Sequence, residues 1–384
     1  MYDVVVVGGG PAGSSTAAAL AKDHDVLVLE EHDRVGEPIQ CAGLITETSI
    51  RLSGVEPIIL NRYKASNVIF PNGSVVTVGS DDVKAVMIDR ADFDRKLSEK
   101  AMDAGAEYRF STRYIDHKVE NGIVSIRTSE GEIQSRLIIG ADGHSSKVAA
   151  SIQDNAPREY LRGIEYDIRH TMEDQDVINI RIGNDVAPGL FSWEAPFGEY
   201  SRVGLCCTWN RGLPMDFMKK LLRKAGLEDC EIVKKYCGKV PVGSRCRLYS
   251  DNLMLIGDAA GHVKPVSAGG IYPTLMSVGP LCTTAEEALS SNDLSAKMLS
   301  RYQKRWYPLV GKELKRSYGY RKLYVRFNDD DMNDIQPYLT KKSVNDALNT
   351  VDIDNPSISG ALALRNIPTA FKVGTIVLRT MMRR

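Results

Sequence analysis

Three glycine-rich clusters in this chain carry the residue types that hold a dinucleotide. The first, Gly8-x-Gly10-x-x-Gly13, stands between an apolar strand and a helix. There Gly8 permits a sharp bend, Gly10 lets the backbone approach a pyrophosphate, and Gly13 lets the helix pack closely. The helix N-terminus, tightened by Pro11 and Ala12, adds unpaired N–H donors and a positive dipole end. A carboxylate about 20 residues on, closing the second strand, accepts the ribose hydroxyls. Glu30 is the favoured candidate and Glu31 the alternative one residue away. The second cluster is Gly140-Ala141-Asp142-Gly143-His144-Ser145, which alone reads equally well as an ordinary strand-to-helix turn. The third is Gly257-Asp258-Ala259-Ala260-Gly261, followed by Pro265 and by Gly269-Gly270-Ile271. Asp258, at a strand end, can hold a ribityl hydroxyl. Gly269 and Gly270 let a flat ring lie against the next helix, whose dipole favours negative charge there. In this order and spacing the three clusters point to an FAD-binding oxidoreductase.

The elements that must position these residues follow from the apolar pattern. Val4–Val7 reads as a short buried parallel strand, Pro11–Lys22 as a helix and Val26–Leu29 as a second strand. Short strands are expected at 68–70, 75–78 and 86–88, with Asp89 capping a helix from Arg90 to about Ala104. A meander spans 114–139, turned by Asn121-Gly122 and Glu130-Gly131. Residues 153–247 read mostly as strand with one helix at 215–225, Leu253–Ile256 as another buried strand, and the chain beyond Gly270 as helical. The fold class is therefore α/β with α+β insertions. It comprises a Rossmann-like FAD-binding domain (1–55, 82–152 and 248–290), an antiparallel-sheet substrate domain (56–81 and 153–247) and a helical C-terminal region (291–384).

Bulk properties exclude several classes. Net charge is zero with 26% charged residues, so no basic field argues for nucleic acid. Seven scattered cysteines without a CxxC pair read as a reducing compartment, with neither a disulfide framework nor a metal site. No leader pattern precedes the first strand, and no apolar run approaches the ~20 residues that span a bilayer. A cytoplasmic protein is expected.

The order of GxGxxG, GADG and GDAAG resembles the para-hydroxybenzoate hydroxylase-like flavoproteins, a likeness that implies a flavin-nucleotide contact for Arg90 in Ile88-Asp89-Arg90-Ala91-Asp92. An exposed arginine in a helix's first turn is the plainer reading. Pro38-Ile39-Gln40-Cys41-Ala42-Gly43 is similar to the Cys-Ala-Gly loop of the geranylgeranyl reductase family. Phe191-Ser192-Trp193-Glu194-Ala195-Pro196 resembles that family's aromatic-x-Trp-x-x-Pro segment. Glu194-Ala195 departs from the usual pattern and leaves the local pocket shape open. The resemblance is strongest to archaeal digeranylgeranylglycerophospholipid reductases. It implies cofactor contacts from Cys41, Ala42 and Gly43, substrate contacts from Trp193 and Pro196, and an isoprenoid lipid as substrate. Packing alone would also account for Cys41 and Trp193.

The implied reaction saturates isoprenoid C=C bonds. A trisubstituted alkene is a poor hydride acceptor, so protonation concerted with hydride delivery is the expected route, within a dry apolar channel. Cys41 is the expected catalytic residue, for substrate positioning or proton supply. With no second GxGxxG, electrons are expected from an external donor, either a ferredoxin-like carrier or NAD(P)H. A flavin-dependent monooxygenase of the same fold is the alternative. After Asp354 the chain carries Arg365, Lys372, Arg379, Arg383 and Arg384 among apolar residues and no acid. This run suits an interfacial helix docking peripherally at the membrane's cytoplasmic face, or equally a helix packed on the enzyme itself.

Overall fold

The computed structural model describes residues 1–39, 41–153, 155–350, 352–355 and 367–382, with backbone alone for 367–372 and 382. Its largest sheet has eight strands. Five of them run parallel, in the spatial order Leu253–Leu255, Gly131–Gly140, Tyr2–Val7, Val26–Leu29 and Glu107–Arg109. Val4, Val5, Val6, Leu27, Val28, Leu137, Ile138 and Ile139 are all fully enclosed. Such unbroken apolar runs are what a strand covered on both faces requires. Helices Pro11–Leu20, Ile271–Ser290 and Ala296–Trp306 supply the cover through Ala17, Leu281, Ala285, Leu299 and Tyr302. Truncating a core leucine such as Leu137 to alanine would cost about 2–5 kcal/mol.

The meander follows the sequence expectation, with Tyr114–Glu120 and Ile123–Thr128 extending Gly131–Gly140 as antiparallel neighbours. Asn121 and Gly122 both take positive φ at the first turn, the geometry that favours this pair in two-residue hairpins.

A second sheet has seven strands, in the order Ile232–Val242, Glu159–Arg169, Tyr200–Thr208, Ser192–Phe197, Val177–Arg181, Ala65–Ile69 and Val75–Gly79. Every pairing in it is antiparallel except Val177–Arg181 with Ala65–Ile69. Helix Pro214–Ala225 packs on one face through Met218 and Leu221.

A third sheet joins the two. Leu44–Ile45 and Ile59–Tyr63 flank Ala85–Ile88. The segment at 59–63, expected with the substrate sheet, thus pairs elsewhere. It still touches that sheet, because Tyr63 is buried beside Ile178 and Ala195 and donates its hydroxyl to Pro196 O at 2.6 Å.

The final helix, Ile367–Met382, packs against helix Asp329–Leu339. Ile376 and Thr380 are buried, whereas Leu378 and Met381 face outward. Arg379 is committed to Asp331 and Asp334, each at 2.7 Å, and so is not the unpaired cation the membrane reading needs. Arg365, Arg383 and Arg384 lie outside the described residues. Among those described, no helix is long and apolar enough to cross a membrane.

Candidate active site

The three glycine clusters, far apart in sequence, meet at the carboxyl ends of adjacent parallel strands. Val7 pairs with Gly140, and Gly140 with Leu255. Ala141 N–H donates to Val7 O at 2.8 Å and Ile256 N–H to Gly140 O at 3.0 Å. Glycine is enforced sterically here. A Cβ on Gly13 would stand 1.9 Å from Gly8 O, and one on Gly8, where φ is +102°, would stand 2.4 Å from Ala141 O. Gly10 differs, for nothing lies within 4 Å of where its Cβ would be. The space over Gly10 is open, beside the N-terminus of helix Pro11–Leu20, and fits a pyrophosphate.

Glu30 and Glu31 separate cleanly. Glu30 is buried, and its Oε2 accepts from Gly9 N–H at 2.8 Å while Oε1 accepts from His32 N–H at 3.0 Å. Glu31 is half-exposed and turned to Arg113 at 3.1 Å, so its side chain belongs to the surface. Asp142 is engaged within its own turn. Its carboxylate accepts from Ser146 Oγ, Lys147 N–H and Val148 N–H, at 2.5, 2.8 and 3.1 Å, which occupies it in starting the helix Lys147–Ala150. Asp258 is part-buried, with Oδ1 only 3.1 Å from the position of a Cβ on Gly270. Burial raises its carboxyl pKa to about 6, against the pull of Arg90.

Arg90 folds back along its own helix to Asp94, at 3.0 and 2.8 Å, and is not an exposed arginine. Burial opposes its charge, but Asp94 and then Cys41 hold it above the ordinary guanidinium range. Arg90 is thus within electrostatic reach of both Cys41 and Asp258. Gly43, with φ +73°, brings the loop within 2.5 Å of Ile88 O, measured from the position of an added Cβ.

Between the glycine turns and the seven-stranded sheet lies a cavity of about 280 Å3. Cys41 and Ala42 line it with Gly269, Gly270 and Ile271 on one side, and Ile164, Ile178, Ile180, Phe191 and Trp193 on the other. Pro196 is not part of the lining. Three residues further along strand Ser192–Phe197, it is buried with its carbonyl held by Asn61 and Tyr63. An alternating strand directs it away from the cavity-facing row.

Several site residues escaped the sequence reading. Arg202 and Asp167 form a buried two-bond ion pair at 2.7 and 2.9 Å, and Tyr236 donates to Asp167 at 2.8 Å. The third arm of Arg202 donates to Ala42 O at 2.8 Å, tying the Cys41-Ala42-Gly43 loop to the opposite sheet. Lys264 pairs with Asp354 at 2.9 Å at the cavity edge, and Thr46 donates to the same carboxylate. Glu165 also lines the cavity. The alternation Gly163-x-Glu165-x-Asp167, two carboxylates on one face of a strand, was the available signal.

A family model described as lycopene cyclase protein matches residues 3–336. A digeranylgeranylglycerophospholipid reductase of Methanocaldococcus jannaschii is 32% identical over 351 residues, 87% of this chain and 89% of that protein. The crystal structure of a geranylgeranyl bacteriochlorophyll reductase-like protein from Thermoplasma acidophilum superposes with a TM-score of 0.85. It covers 98% of this chain and 99% of that one at 22% identity. The halogenase PltM, in complex with phloroglucinol and FAD, shares the fold at a TM-score of 0.69 and 16% identity, over 98% of this chain and 86% of its own. The fold is thus one that FAD-bound flavoproteins use, and the chain belongs to the geranylgeranyl reductase family of flavin-dependent oxidoreductases.

Proposed function

We propose that this protein binds FAD and saturates the isoprenoid C=C bonds of geranylgeranyl chains in membrane-lipid precursors such as digeranylgeranylglycerophospholipid. The observation that carries the reading is the cavity, whose apolar wall abuts both the Cys41-Ala42 loop and the Gly269-Gly270-Ile271 turn. A prenyl chain entering it leaves water without losing any hydrogen bond, a transfer worth roughly 0.8 kcal/mol per CH2.

In this reading the Gly8–Gly13 turn and its helix dipole hold the pyrophosphate, Glu30 the adenosine ribose and Asp258 a ribityl hydroxyl. Gly269 and Gly270 give the ring room at the start of helix Ile271–Ser290. The bound flavin supplies a hydride equivalent. The protein's share is position and environment. Trp193 and Phe191, set edge to face at 6.2 Å, form a rigid wall against which an alkene is held. Cys41, kept on its loop by the Arg202–Ala42 bond, positions the chain at the cofactor side. Ile178 and Ile180 exclude water from the reacting carbons.

The test is anaerobic incubation of the dithionite-reduced protein with a geranylgeranyl phospholipid, followed by mass spectrometry. Two hydrogens gained for each saturated bond, with matching flavin oxidation, is the expected result. Unchanged lipid under these conditions, with substrate-coupled oxygen uptake in air, would instead make the protein a monooxygenase.

A further inference from the structure

Two carboxyl groups line the cavity among the described residues, Asp354, which is paired with Lys264, and Glu165. Glu165 stands in the middle of strand Glu159–Arg169, is 6% exposed, and has a buried Oε1 without a hydrogen-bond partner. Leaving such an oxygen unpaired costs on the order of 1–3 kcal/mol, so its retention needs a reason.

Sheet register says where the group points. Glu165 is paired with Gly204 on one side and Tyr236 on the other, and Gly204 is paired in turn with Trp193. Directly opposed residues on neighbouring strands share a face. Trp193, Glu165 and Tyr236 therefore form one row across the sheet, and all three line the cavity. The adjoining row is Gly163, Cys206 and Gly238, two of them without a side chain. Glu165 thus looks into the cavity over a floor of small residues.

The charged neighbours are committed elsewhere. Asp167 and Arg202 bind each other, with Tyr236 donating to Asp167, and Arg90 is held by Asp94. Cys206 is buried, its thiol pushed up to about 12 by burial. For Glu165 itself, burial raises the pKa to about 7 against Arg202 and Arg90, with Asp167 adding to the rise. The carboxyl therefore keeps its proton up to neutrality, as a general acid must.

We propose that Glu165 is the catalytic acid that protonates the substrate alkene. This rests on the isoprenoid-reductase reading. The Glu165 O–H bond breaks, and its proton forms a C–H bond with the less substituted alkene carbon, using the π pair. The more substituted carbon, becoming cationic, accepts a hydride from a reduced flavin, which loses two electrons. The glutamate carboxylate left behind is favoured by the charges of Arg202 and Arg90 and takes a proton from solvent before the next turnover.

The test uses the FAD-loaded protein, reduced and mixed anaerobically with geranylgeranyl phospholipid in detergent. Glu165→Gln keeps size and shape but has no transferable proton. Its FAD content and lipid binding should match the parent, while flavin reoxidation slows by roughly a hundredfold or more. The parent's loss of rate above about pH 7 should vanish in the variant. A second measurement needs neither a variant nor turnover. Carbon-13 spectra of the glutamate-labelled, ligand-free parent should contain one carboxyl titrating near neutrality, apart from the bulk. Parental reoxidation rates in Glu165→Gln, or no such carboxyl, overturn the proposal. A parent whose flavin stays reduced in the presence of lipid overturns the isoprenoid-reductase reading instead, and this one with it.

Discussion

The indole of Trp193 occupies the space that a side chain on Gly204 would fill: a Cβ there would stand 2.3 Å from Cζ2 and 2.8 Å from Nε1. Gly204→Ala must therefore push Trp193 into the cavity or spread the two strands. Overpacking of this kind costs about 1–3 kcal/mol. Chemical denaturation should show that loss, and lipid turnover should fall several-fold more than FAD content. Retention of full turnover would mean that Trp193 is only packing.

Two glycines of the first turn should behave in opposite ways. Gly10→Val places its methyls in open space, so the fold should keep its stability while the protein purifies colourless. Gly13→Ala drives a methyl into Gly8 O and should destabilise the apoprotein by at least about 1–3 kcal/mol. The visible flavin spectrum and a denaturation curve for each variant check the pair. A yellow Gly10→Val would remove the pyrophosphate from this turn.

The raised carboxyl of Glu165 also sets a pH dependence of stability. An unfolded glutamate ionises near 4.3, whereas the folded group holds its proton to about 7. Across that window the folded state binds the extra proton, so stability falls as pH rises. Glu165→Gln lacks this slope. It should match the parent below about pH 4.3 and exceed it above pH 7 by up to about 4 kcal/mol, counting 1.36 kcal/mol per pKa unit. Parallel denaturation series for the two proteins decide this, and identical slopes would place Glu165 in contact with water.

The three glycine turns that the structure brings together were legible in the sequence because each turn is local. Gly8, Gly13 and Asp258 sit in short motifs whose glycines answer to backbone geometry within a few residues or at the next strand end. Glu30 against Glu31 was not resolvable by spacing, since the choice depends on the Gly9 N–H and on Arg113, from a different part of the chain. The helix-starting bonds of Asp142 were not legible, because a carboxylate after a strand serves a cofactor or a helix start with the same local sequence. The substrate side was harder. Arg202 and Asp167 are 35 residues apart and meet only through strand register. Pro196 and Trp193 share one motif, yet the alternation of the strand separates their roles.

The meeting of the three glycine turns has a consequence for biosynthesis. Strand Leu253–Leu255 sits against Gly131–Gly140, so the proposed nucleotide cradle is incomplete until the chain has been made past its midpoint and the intervening sheet has been looped out. Contacts this distant in sequence are slow to close. A nascent chain ending before Gly257 lacks one wall of the cradle, so loading with flavin belongs to a late stage of synthesis. Cofactor supply then acts on nearly finished polypeptide, stabilising by mass action the arrangement it joins.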